Sequence, residues 1–141
     1  MANTAEPELV LRAPTGETRE MNFIRSTWLN ELRKLPNGLP DAQWWPAHRE
    51  YLEGQLHSPD NKILIAGASD DPHEILGYAV ASEEVLEWVH VRKGLRGRGL
   101  AGVLLRALGF DSTSKRPLVR WRTPTSRDRL VVLYRPGQLR K

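Results

Sequence analysis

Residues Val89–Gly109, VHVRKGLRGRGLAGVLLRALG, decide how this chain is read. The stretch begins as an apolar alternation, breaks into glycine and arginine, and resumes as an apolar run. Arg92, Lys93, Arg96 and Arg98 surround Gly94, Gly97 and Gly99. A strand that runs into a glycine-rich turn opening a helix makes a physical device. Glycine lets the backbone take positive φ and come close to a ligand. The first amides of a helix have no intrahelical acceptor, and with the helix dipole they form an anion site suited to phosphate. LRGRGLA therefore reads as a pyrophosphate cradle, with Arg96 and Arg98 adding charge. The glycine spacing excludes a dinucleotide fingerprint, which needs G-x-G-x-x-G in the first strand–helix unit and an acid about 20 residues on. It also excludes a P-loop, because no Gly-Lys-Ser/Thr follows. The bland reading of the same stretch is a glycine turn with solvated arginines.

The flanking pattern places this turn in a layered fold. ELVLRAP (Glu8–Pro14) reads as a strand ending in the turn Pro14-Thr15-Gly16. From Glu17 to Leu35, Met21, Ile24, Trp28, Leu29 and Leu32 recur at helical spacing. DAQWWPAHREYLEGQLHSP reads as a second helix, capped by Asp41 or restarting near Pro46. The period then changes. KILIAGAS (Lys62–Ser69) and EILGYAVAS (Glu74–Ser82) form a hairpin about the turn DDPH. VLEWVHV (Val85–Val91) follows, with Leu86, Trp88 and His90 on one face and Val85, Glu87, Val89 and Val91 on the other. A helix covers Gly99–Leu108, and LVRWRT (Leu118–Thr123) is a further strand. Leu130–Tyr134 reads as a short strand, or as a short helix capped by Ser126. The order β-α-α-β-β-β-α-β, with one element open, describes an α/β (α+β) layer fold around one mixed, mostly antiparallel sheet of about six strands flanked by three helices.

At 141 residues the chain suits a single domain, residues 1–141. Without cysteine it has no disulfide, no thiolate nucleophile and no thiolate-bound metal. Its four histidines are scattered without ligand spacing, so no metal is expected. No signal peptide or membrane-length apolar run is visible, and the expected location is the cytoplasm. Charge is unevenly placed. Residues 1–91 carry 7 Lys/Arg and 15 Asp/Glu, a net of −8, while residues 92–141 carry 14 and 2, a net of +12. A basic half points to a polyanionic ligand, a nucleic acid or an acidic partner surface.

The turn resembles the acetyl-CoA-binding motif of the GNAT acyltransferase superfamily, [QR]-x-x-G-x-[GA], which lies between a fourth strand and a third helix. Arg96-Gly97-Arg98-Gly99-Leu100-Ala101 matches it in full. Upstream, LEWVHVRKGLRGRG is similar to the strand pattern of many members, with Lys93 where a proline is usual. ILGYAVAS resembles the preceding strand with its Gly-aromatic pair. The motif covers about residues 85–109; the rest agrees in topology only.

The resemblance implies a fold and a mechanism. Backbone amides of Arg96, Gly97, Arg98, Gly99, Leu100 and Ala101 would hold the pyrophosphate of acetyl-CoA. Amides near Val89 and Val91 would bond the pantetheine arm and polarise the thioester carbonyl. The acceptor amine would then attack directly, with no covalent enzyme intermediate. Glu87 is the leading general-base candidate, on the strand where many members carry an acid. His90 is a second candidate, because imidazole titrates in the useful range. His48 and His57 look like surface positions. Leu133-Tyr134 resembles the pair whose tyrosine protonates the leaving thiolate in many members. Only 18 residues follow Thr123, however, too few for the usual helix and two closing strands. Trp28, Trp44 and Trp45 could wall the acceptor pocket, with Glu83 or Glu84 drawing an amine. A shortened sheet would leave an edge for a second copy to cover, giving a homodimer.

Two other classes stay open at this stage. Arg116, Arg120, Arg122, Arg127, Arg129, Arg135 and Arg140 offer a phosphate-tracking face with Trp121 to stack, as a nucleic-acid-associated protein or a nucleobase-modifying enzyme would need. A degenerate acyl-CoA-binding protein without turnover is the third.

Overall fold

A computed structural model describes residues 9–35 and 39–110, together with the strand residues 118–119 and 131–132. The elements run β1 (Leu9–Arg12), α1 (Thr18–Arg33), α2 (Asp41–Leu56), β2 (Lys62–Ala68), β3 (Asp71–Ala81), β4 (Val85–Val91), a 3-10 turn (Lys93–Leu95), α3 (Leu100–Ala107), β5 (Leu118–Val119) and β6 (Val131–Val132). They form one sheet in the order β1-β2-β3-β4-β5-β6. The pairs from β1 to β4 are antiparallel, and β4–β5 and β5–β6 are parallel.

Two apolar clusters lie on the two faces of the sheet. Ile24, Trp28 and Leu32 recur every four residues along α1 and meet Trp44 and Leu52 of α2 over Ile65, Tyr78, Val80 and Trp88. On the opposite face, Leu100 and Leu104 of α3 pack with Phe110 on Ala66, Ala68, Ala79, Ala81 and Leu86. Small residues line the face under α3, and one glycine is required there. A Cβ at Gly77 would sit 2.7 Å from the His90 carbonyl and 3.3 Å from Leu100 Cδ2. Only glycine lets β3, β4 and α3 approach this closely.

The acidic residue at the third helical position of α1 anchors the loop before it. The Thr15 amide donates to Glu20 Oε2 at 2.6 Å, and Arg12 Nη1 lies 2.7 Å from Glu20 Oε1. Burial works to raise the Glu20 carboxyl, but the Arg12 hydrogen bond and charge and the Thr15 donors outweigh it and hold it below the ordinary carboxylate range.

Several local expectations are corrected. Pro40, not Asp41, is the N-cap of α2, and the helix runs through Pro46 without restarting there. Proline removes one helical hydrogen bond. Trp44, His48 and Leu52, four residues apart, are buried on the packed face and hold the helix on both sides of it. His48 is therefore a core residue, not a surface one, with Nδ1 2.9 Å from the Trp44 carbonyl oxygen and its ring stacked on Trp44. Burial, aided by the charge of Arg33 against the Trp44 carbonyl, lowers its pKa. DDPH is not all turn: β3 begins at Asp71, leaving Ser69 and Asp70 as the turn.

The face assignment in β4 changes most. Val80 pairs with Trp88 but Ala81 pairs with Leu86, so Glu87 is the extra residue of a β-bulge. A bulge resets the alternation. Leu86 joins the α3 face with Val89 and Val91, while Trp88 packs on the α1–α2 face. Glu87 bonds to Tyr51 of α2. It does not lie opposite His90 as strict alternation would have it: both reach the helical layer formed by α1 and α2.

Candidate functional site

The turn between β4 and α3 has the backbone its glycines suggest. Gly97 and Gly99 have φ of +83° and +85°. A Cβ at either would meet nothing within 4 Å, so conformation, not crowding, demands glycine at both. Gly99 is the N-cap of α3, with no side chain capping the helix. The first helical bond runs from the Val103 amide to the Gly99 carbonyl at 3.1 Å. The N–H groups of Leu100, Ala101 and Gly102 thus have no intrahelical acceptor. This arrangement fits a pyrophosphate, whose oxygens accept several hydrogen bonds from one direction.

The edge of β4 leads into this turn. The Arg92 amide donates to Leu76 of β3 at 2.8 Å. Strand geometry then sends the N–H and C=O groups of Val89 and Val91 the other way, to the edge away from β3. The described pairing of β4 with β5 involves Val85 and Leu86. The amides of Val89 and Val91 therefore lie on the edge of β4 away from β3, beyond the described β4–β5 pairing.

Charge around the turn is less free than the composition suggests. Arg92 pairs with Glu74 at 2.7 Å. Arg96 donates through Nε to the Val91 carbonyl at 2.9 Å and through Nη2 to Glu31 Oε2 at 2.9 Å. Arg92 and Arg96 are thus already paired with acids. Arg98 is exposed beside the glycines.

Glu31 was not visible as a functional candidate, yet several groups converge on it. Besides Arg96, it accepts from Trp88 Nε1 at 3.1 Å and faces His90 Nδ1 at 2.8 Å. Its carboxyl is held below the ordinary range: burial would raise it, but the hydrogen bond and charge of His90, the Trp88 indole and the charge of Arg96 prevail. The available signal was an acid three residues after Trp28 and seven after Ile24, on the apolar stripe of the helix. His90 itself is 8% exposed, stacked on Tyr78 and edge-on to Phe23.

Glu87 is 4% exposed, and its Oε1 accepts from the Tyr51 hydroxyl at 2.9 Å. Tyr51 in turn meets Trp28 edge-on, and Trp28 stacks on Trp88. Trp28 and Trp44 have no exposed surface, which corrects their expected place on a pocket wall: they are core. Trp45 is half-buried beside Arg49, and Glu83 is exposed in the β3–β4 turn. Tyr134, Trp121 and the arginines from Arg116 onward lie outside the described residues. Among the described residues, no group of three or more His, Cys, Asp or Glu could hold a metal, and no helix is long and apolar enough to cross a membrane.

No protein-family model matches this sequence, and no curated protein matches it. Solved structures do. A Pyrococcus furiosus protein assigned as an acetyl transferase is 16% identical, over 83% of this chain and 85% of its own, with a TM-score of 0.57. The ribosomal-protein-alanine N-acetyltransferase of Brucella melitensis biovar Abortus 2308 is 15% identical over 94% of this chain and 85% of its own, with a TM-score of 0.50. A glucosamine N-acetyltransferase region in a fungal multi-domain beta-N-acetylglucosaminidase is 16% identical over 88% of this chain and 16% of its own, with a TM-score of 0.54. At these identities the likeness is one of fold, and the fold of this chain is that of the GNAT acyltransferases.

Proposed function

We infer that this chain is an acetyl-CoA-dependent acyltransferase that moves an acetyl group onto a primary amine. The observation that carries the inference is the turn from Arg96 to Ala101. It combines two left-handed glycines, a helix start without a side-chain cap and an open space beside them.

The Arg96 amide donates to the Lys93 carbonyl at 3.4 Å, so of the expected amides the pyrophosphate would rest on those of Gly97 to Ala101, and the arm would run back along the edge of β4 away from β3. The amide N–H of Val89 would donate to the thioester oxygen and stabilise the negative charge that develops there. The amine nitrogen attacks the thioester carbon. A C–N bond forms, the C–S bond breaks, and the thiolate departs with the electron pair. Glu87 would take the amine proton, its carboxylate held in one orientation by Tyr51. Tyr134 would donate a proton to the leaving sulfur. Of the acceptor-wall residues, Trp45 and Glu83 keep surface with which to meet an amine.

Calorimetric titration with acetyl-CoA, followed by thiol release across a panel of amines, tests this. Acetyl-CoA binding that is abolished in Gly99→Glu, with thiol release for at least one amine, is the expected result. No binding by the wild type would refute the acyl-CoA reading. Binding without turnover on any amine would refute catalysis and leave a CoA-binding protein.

A further inference from the structure

Arg96 opens the motif of the anion turn, but its side chain is not directed as a free cation. Its guanidinium lies against the carbonyl of Val91 and the carboxylate of Glu31, both at 2.9 Å. Because the Arg92 amide points to β3, the Val91 carbonyl points to the opposite edge of β4. Arg96 thus occupies the acceptor that a neighbouring strand would use there. The carboxylate that holds Arg96 comes from α1, 65 residues earlier in the chain, and the same oxygen faces His90 Nδ1 at 2.8 Å. Its second oxygen takes the Trp88 indole. One acid thereby ties the last turn of α1, alternate residues of β4 and the first residue of the anion turn.

We propose that Glu31 is the positioning residue of the acyl-CoA turn: by locking Arg96 onto the end of β4, it holds the turn in its binding geometry. The role follows from the wiring. Glu31 is side-chain bonded to the arginine at the start of the turn and to the two β4 rings behind it. Without the carboxylate, the Arg96 guanidinium keeps its bond to the Val91 carbonyl but loses its acid, and its charge is released next to the anion site. A cation freed in this way would attract phosphate, so a purely electrostatic account predicts tighter acetyl-CoA binding on removing Glu31. The positioning account predicts weaker binding. The sign of the effect separates them.

The proposal rests on the acyl-CoA reading of the turn, and its test has one arm that does not. Acetyl-CoA affinity is measured by calorimetry for wild type, Glu31→Gln, Arg96→Ala and the double variant. Each single variant is expected to bind about tenfold more weakly, the scale of one charge-assisted hydrogen bond, and the double variant no more weakly than the worse single. Arg96→Ala removes a cation beside the anion site, so both accounts predict weaker binding there; if Glu31→Gln does not fold, Glu31→Asp, which keeps the charge but shortens its reach to Arg96, carries the sign test, with weaker binding expected and wild-type binding counting against positioning. Wild-type or tighter binding in either single variant, or losses that multiply in the double, would overturn the proposal. The arm without ligand is NMR of the His90 imidazole. A hydrogen-bonded Nδ1–H in the wild type, lost in Glu31→Gln, is expected; a His90 signal indifferent to the substitution refutes the link even if no acetyl-CoA binds. Failure of the wild type to bind acetyl-CoA, with the His90 signal as expected, would instead reject the acyl-CoA reading and, with it, the positioning role.

Discussion

Replacing Gly99 by alanine separates the backbone conformation of the turn from its packing. The residue has φ +85° and ψ +6° and caps α3. No atom lies within 4 Å of the position a Cβ would take, so the methyl group meets no clash. The whole cost is conformational: about 1–2 kcal/mol for an L-residue held in the left-handed region. For a chain of this size that is a fall in Tm of about 3–7 °C. The turn can escape the strain by leaving positive φ, but the amides at the start of α3 then no longer converge with that of Gly97. Acetyl-CoA affinity should drop at least about tenfold in that case, because a preorganised anion site has been lost. Gly94 supplies the control. It has ordinary φ and open space, so Gly94→Ala should be neutral or slightly stabilising. The two variants are compared by thermal unfolding with and without acetyl-CoA. The reasoning fails if Gly99→Ala and Gly94→Ala share one Tm and one affinity.

Gly77→Ala should destabilise by about 1–3 kcal/mol, because its methyl would lie 2.7 Å from the His90 carbonyl between two paired strands; a denaturant midpoint equal to the wild type would contradict the close approach. Glu20 should make stability depend on acid. Its folded pKa is below the ordinary value of 4.5, so ionised Glu20 stabilises the fold above about pH 4.5, and that contribution is lost as pH falls through the folded value. Glu20→Gln should therefore be less stable than wild type by about 1–3 kcal/mol near neutral pH, with the gap closing in acid; a gap independent of pH in denaturant titrations would rule this out. Glu87→Gln should lower kcat by about 10²–10⁴ and leave acetyl-CoA affinity unchanged, which steady-state kinetics and calorimetry read separately.

Much of the architecture was legible because it depends on near neighbours. The four-residue recurrence of Ile24, Trp28 and Leu32 places α1, and all three are buried. The alternation in Val85–Val91 bounds β4 without error. The glycines of RGRG announce their own conformation, since positive φ is a property of single residues. Where a second element intervened, local reasoning failed. Alternation alone set Glu87 against His90, but the bulge opposite Val80 and Ala81 moved it. His48 looked like a polar residue on a helix surface, yet stacking on Trp44 makes it core. The tryptophans looked available for a ligand, but two of them fill the space between the helices and the sheet.

The order of elements, the turn and its helix start follow from the chain read a few residues at a time. Periodicity and backbone sterics act over that range, and no distant partner has to be known. The wiring of the site does not follow in this way. Tyr51 reaches Glu87 across 36 residues, and Glu31 reaches Trp88, His90 and Arg96 across 57, 59 and 65. A carboxylate on an apolar helix stripe is a penalty until its donors are in place, because a buried charge needs partners. Which donors those are depends on how α1 lies over β4, a matter of packing between elements that local sequence does not encode.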